Sequence, residues 1–193
     1  LKNVPLGMTY ALTENDCPES ECSVGAVFGP NFSVRKSVLD SHGALPEDIG
    51  PNGGNYAMGS ESALLYRLAD LGHRSYFVPD AKVRHIIRAY QMEREWTLGR
   101  AYRYGRGFCK VTLMKRETRV AELFGAPRWA LRKLVQHYIR HLFVFPNRDE
   151  MYRCEWQERF FRGFIHEYRL HRELAPPLKG AGDRSRGARH AIE

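Results

Sequence analysis

The sequence predicts an α/β chain in two parts, a front segment of mixed helix and strand and a rear segment of basic amphipathic helices. Three observations carry this. Between Gly59 and His85 the chain reads as loop, helix, strand, turn, strand. Behind it, apolar and aromatic residues recur at helical spacing. The charge changes sign near the same place. Residues 1–85 carry 7 Lys/Arg against 10 Asp/Glu, and residues 86–193 carry 23 against 12. The expected organisation is an α/β part over 1–88, a basic helical part over 89–173 and a disordered tail over 174–193. The Pro, Gly, Arg and Ser of that tail bury too little to offset the entropy of ordering.

The elements follow in order. Residues 1 to 21 are polar and loop-rich, with turn chemistry at Asn15-Asp16-Cys17-Pro18. Ser23 to Phe28 is a small apolar run that reads as a buried strand, broken by Gly29-Pro30-Asn31. Val34 to Ser41 reads as a short helix ending near His42-Gly43. Asp48 to Gly59 is a glycine-bearing loop, either a mobile connection or a place where backbone approaches a ligand.

Leu64, Leu65, Leu68 and Leu71 then give a helix one apolar face, and Gly72 stops it. Arg74 to Val78 and Ala81 to His85 are β-prone runs around a Pro79-Asp80 turn. Ala89 to about Gly107 looks helical. Pro127 fits the first turn of a helix striped by Leu131, Leu134, Val135, Tyr138, Ile139, Leu142 and Phe143. A last helix runs from about Arg148 to Leu170, with Tyr152, Trp156, Phe160, Phe164 and Tyr168 spaced by four.

Composition bounds the function. The chain has 193 residues, 43% hydrophobic and 27% charged, ordinary values for a globular domain with an appendage. It begins at Leu1 without a signal-like run, so we expect a piece of a longer product. No stretch nears the roughly 20 apolar residues that span a bilayer. The four cysteines form no zinc-like pair. Cys17 and Cys22 are close enough in sequence for a local disulfide, and a reducing compartment is the default. The basic rear points to an anionic partner: membrane surface, diphosphate or nucleic acid.

Glu61 stands where a loop enters a helix and His85 where a strand ends, so the two can meet in one cleft. A carboxylate there can act as a general base, or can simply favour the positive end of the helix dipole with Ser60 as cap. His85 can be a ligand or a structural residue. Arg100, Arg103 and Arg106 can contact phosphate groups or form a solvated basic face.

Four segments in sequence order resemble family 2 glycosyltransferases. Gly29-Pro30-Asn31-Phe32-Ser33-Val34-Arg35-Lys36 resembles the family's G-A-N-x-A-x-R-R, and Gly59-Ser60-Glu61-Ser62-Ala63-Leu64 falls where the family has G-E-D-T-D-L. Val78-Pro79-Asp80-Ala81 with His85 resembles V-P-D-A-x-V-x-H. The run Arg100 to Gly107 and the segment Phe124 to Trp129 resemble the tail of bacterial members. The resemblance covers about residues 23 to 145. It implies a partial GT-A-like α/β fold, the acceptor-side half, lacking the N-terminal nucleotide-binding half and its Asp-x-Asp, followed by amphipathic helices.

The resemblance also implies roles. Glu61 falls at the position of the usual catalytic base, and Ser60 replaces the first acid of the pair. Glu is one methylene longer than Asp, and a base displaced by about 1 Å can cost on the order of a hundredfold in rate. Asn31 and Ser60 are expected beside the substrate. His85 is expected to ligate a divalent cation, Mg or Mn, of which manganese accepts nitrogen more readily. Gln91, Arg94 and Trp96 resemble the Q-x-x-R-W motif of processive members. Here Glu95 separates Arg94 from Trp96, which turns the indole by about 100° on a helix.

The implied activity is transfer of a sugar, with inversion, from a nucleotide-sugar donor to a glycan or lipid-linked acceptor at the cytoplasmic membrane face. The rear helices are expected either to lie on an anionic membrane surface or to pack against the rest of the chain. Two other readings remain: a non-catalytic relative, suggested by Ser60, and an RNA-binding module built on the Arg-Tyr run 100–107, which has no recognised nucleic-acid motif behind it.

Overall fold

A computed structural model describes residues 6–12, 17–27, 29–51, 56–112 and 120–174. The fold is mixed α/β and mostly helical, with two small antiparallel sheets. The expected tail beyond 174 and part of the 48–59 loop lie outside the described residues.

The front part begins with the short helix α1 (Leu6–Tyr10) and the strand β1 (Ser20–Cys22). The expected strand over 23–28 is instead a 3-10 turn at Val24–Ala26, and the strand lies just before it. Ser23 accounts for the difference. Its Oγ accepts from the Gly25 amide at 3.3 Å, a local bond that competes with a ladder. Helix α2 (Lys36–His42) follows and closes on Gly43 at φ 82°.

Helix α3 (Ser60–Asp70) buries Ala63, Leu64 and Leu68. It ends in a Schellman motif, with His73 N–H donating to Leu68 O at 3.0 Å and Gly72 N–H to Ala69 O at 2.9 Å. Strand β2 (Ser75–Phe77) pairs antiparallel with β1, Glu21 opposite Tyr76. The expected strand over 81–85 is exposed chain without regular structure. There Asn31 Nδ2 donates to Ala81 O at 2.6 Å, so a side chain takes an acceptor that a ladder would use. A cleft of about 1120 Å³ opens between this sheet, α2 and α3, walled by Val27, Phe32, Val38, Leu65 and Tyr76.

The rear part is three helices. A 3-10 turn (Ala89–Met92) leads into α4 (Arg94–Thr112), so the helical stretch expected from 89 starts in a tighter form and continues further. A hairpin of β3 (Glu122–Leu123) and β4 (Ala126–Pro127) turns at Phe124-Gly125, both at positive φ, and delivers the chain to α5 (Arg128–Phe143). Helix α6 (Arg148–Leu174) starts where Asn147 Oδ1 accepts from the Glu150 amide at 3.1 Å, with Asp149 and Glu150 in its first turn. It runs about 40 Å at 1.5 Å per residue.

Helices α4 and α5 both pack on α6. The shared core holds Leu98, Ala101, Trp156, Phe160, Phe161 and Phe164. Small residues set the crossing of α4 and α6. A Cβ on Gly105 would stand 1.9 Å from Phe160 O, and one on Gly163 would stand 2.1 Å from Tyr102 O. A Cβ on Gly107 would stand 1.5 Å from Met58 O, so this glycine lets α4 lie directly against the chain just before α3. That junction places the first turn of α3 beside the middle of α4.

Candidate active site

Glu61 stands in the first turn of α3. Gly59, at φ 110°, turns the chain into the helix through a conformation that side chains resist. The buried Ser60 donates from Oγ to Glu61 Oε2 at 3.1 Å. On the other side the peptide of Gly29 lies so near that a Cβ there would stand 2.8 Å from Glu61 Oε1. Two segments far apart in sequence, 29–31 and 59–61, therefore meet at one half-buried carboxylate.

Across from Glu61, α4 offers one face. Trp96, Arg100 and Arg103 follow at i, i+4 and i+7, the spacing of a single helical stripe. The Arg100 guanidinium lies 5.4 Å from the centre of the Trp96 ring, and that of Arg103 lies 5.5 Å from the centre of Tyr56. Burial lowers the pKa of Arg100 from its ordinary value. Tyr56 opposes this, Arg103 adds to it, and the charges of Glu61 and Tyr10 oppose it again. The Nε atoms of Arg100 and Arg103 are buried and have no hydrogen-bond partner among the described residues. Such donors are suited to an anion placed against them.

The site continues to α1. Tyr10 stacks on Trp96 with ring centres 5.9 Å apart and planes 4° from parallel. Its hydroxyl donates to Gln91 O at 2.9 Å, and its carbonyl oxygen faces Nδ1 of His85. A carbonyl can only accept, so Nδ1 carries the proton. The other ring nitrogen, Nε2, takes no part in that bond. The path from Glu61 to His85 thus runs through Arg100, Trp96 and Tyr10.

Of the residues expected at the site, Ser60 and Glu61 touch, Trp96 joins through Arg100, and His85 joins through Tyr10. Asn31 uses its amide on the backbone of Ala81 and holds the chain that leads to His85. Arg94 faces away from Trp96 and pairs with Glu155 of α6. The shift of one residue between Arg94 and Trp96 is what divides them. Tyr10 and Tyr56 went unnoticed in the sequence, where neither stands in a motif. Cys17 and Cys22 are free thiols.

Among the described residues no three His, Cys, Asp or Glu side chains stand together as a metal group. His85 belongs to no such group among them. Comparison of the chain with protein-family models, with curated proteins and with solved structures returned no match.

Proposed function

We propose that this chain is the acceptor-side part of an inverting family 2 glycosyltransferase with a GT-A-like fold, working at the cytoplasmic face of the cell membrane. The observation that supports it is the meeting of Gly29 and Ser60 around the Glu61 carboxylate, opposite Arg100. In this reading Glu61 takes the proton of an acceptor hydroxyl as that oxygen attacks the anomeric carbon of a nucleotide sugar. The bond from that carbon to the diphosphate breaks, and the nucleoside diphosphate leaves with the electron pair. Arg100 and Arg103 supply positive charge where that charge develops. A divalent cation, when bound, adds Lewis-acid stabilisation of the same leaving group, with His85 as one ligand. The acceptor is a glycan or a lipid-linked sugar.

A second reading, a non-catalytic relative, is favoured by Ser60 at the position of the family's first acid. In that case Glu61 serves only to balance Arg100 and the start of α3.

The two separate by experiment. The gene product that carries this chain, in membranes, is assayed with a panel of nucleotide sugars. Glu61→Gln is expected to lower turnover by about 10²–10⁴-fold with the melting temperature unchanged. A Glu61→Gln protein that turns over as fast as the parent would sink the assignment of the base.

A further inference from the structure

The longest run of the chain without an acid among its rear helices also holds many of the exposed large apolar side chains among the described residues. From Phe124 to Arg148 there is no Asp or Glu, against five Arg/Lys (Arg128, Arg132, Lys133, Arg140, Arg148) and two His. One side of α5 is spent on α6. Ala130 is buried there, Leu134 packs on the core, and the His137 ring stacks on Phe161 at 5.9 Å. The opposite side carries Val135, Tyr138, Ile139 and Leu142 at i, i+3, i+4 and i+7, all exposed. Phe143 and Phe145 extend it into the turn before α6, 81% and 77% exposed. A surface of this extent, rimmed by charge that is mostly positive, with Arg140 answered by Glu150 of α6, marks an interaction site.

The charge and the side-chain types decide the occupant. Two copies meeting through this face would bring two sets of Arg128, Arg132, Lys133 and Arg148 together, Arg140 being paired with Glu150 of α6 at 2.7 Å. Nucleic acid would satisfy the cations and leave Val135, Ile139 and Leu142 without a partner, since bases stack on rings and not on branched aliphatics. A bilayer with anionic headgroups takes both halves, the apolar side chains at the acyl boundary and the Arg and Lys among the phosphates. The face is also graded. Arg128 and Arg132 occupy its first two turns, and Leu142, Phe143 and Phe145 its end. The helix is about 24 Å long, and no described helix is long and apolar enough to cross a membrane.

We propose that the exposed face of α5 is a monotopic seat on anionic lipid, entered with the Phe143–Phe145 end deepest and the Arg128–Lys133 end at the headgroups. It gives the peripheral location of the proposed enzyme a physical surface, yet it does not depend on glycosyl transfer.

The test is co-sedimentation of the full chain with phosphatidylcholine vesicles, with and without phosphatidylserine, at low and high salt. Binding is expected only with phosphatidylserine and is expected to fall with salt. Arg132→Ala with Lys133→Ala is expected to weaken it by about fivefold for each charge removed. Phe143→Ser with Phe145→Ser is expected to weaken it at least about tenfold at unchanged melting temperature, since both rings are exposed. Equal binding to neutral vesicles, unchanged binding of the double Phe variant, or tighter binding to polyuridylate than to vesicles would each overturn the proposal. None of these readouts involves sugar transfer, so failure here is distinct from failure of the enzymatic reading.

Discussion

Glu167 of α6 is buried to 2% exposure, and it meets Arg106 of α4 with Oε2 at 2.7 Å from Nε and 2.6 Å from Nη2. Lys110 approaches its other oxygen at 3.7 Å. Two buried charges held this way contribute little net stability as a pair, because each lost its water. Removing one alone is another matter. Glu167→Ala leaves the Arg106 cation buried, and we expect a loss of about 3–5 kcal/mol in urea unfolding. The exposed pair Arg74–Glu21, at 3.3 Å, sets the contrast, since Glu21→Ala is expected to cost under about 1 kcal/mol in the same measurement. The sequence offers no sign of this buried pair. Arg106 looks there like one more cation in a basic run, and its acid lies 61 residues on. The site divides in the same way. The sequence singles out Glu61 at a helix start and Trp96 in a broken motif, whereas Tyr10 reaches Trp96 only through the fold.

At the scale of elements, the long helices are readable in the sequence and the short elements only in part: the run Arg74–Val78 does hold β2, whereas α1 and most of β1 fall in a stretch that reads as loop. The period of Leu64, Leu68 and the stop at Gly72 fix α3 locally, and the rows of α5 and α6 are long enough to be unambiguous. Strands of three residues hold too little pattern. Ser23 and Asn31 then settle the outcome through side-chain bonds whose competition with the backbone has no period. The close approach of α4 and α6 was equally hidden, because a glycine inside a helical pattern reads as a flaw. Here it is the contact itself. Gly163→Ala gains about 1 kcal/mol in helix propensity and puts a methyl 2.1 Å from the Tyr102 carbonyl, which neither helix can yield cheaply. We expect a net loss of at least about 1–3 kcal/mol by thermal or urea unfolding. A stability equal to or above that of the parent would mean that the helices separate without cost.

Taken whole, the molecule is unevenly built. The largest cluster of buried side chains lies between Leu98 and Ile165, while α2 buries none and the chain from Ala81 to Ile86 is exposed. Local opening follows buried contact, so amide exchange is expected to be slowest around Ala101 and Phe164 and fast throughout α2. Equal protection of the two regions would show one cooperative unit instead. The same unevenness has a consequence during synthesis. The inner side of α4 emerges from the ribosome with its partner still about 60 residues away, since Arg94 answers to Glu155 and Arg106 to Glu167. At about 5–20 residues per second that interval lasts about 3–12 s. For that time the side of α4 that will meet α6 stays uncovered, while its other contacts, Trp96 on Tyr10 and Gly107 on Met58, can already form, and a chaperone at the tunnel exit is the natural first cover for the bare side.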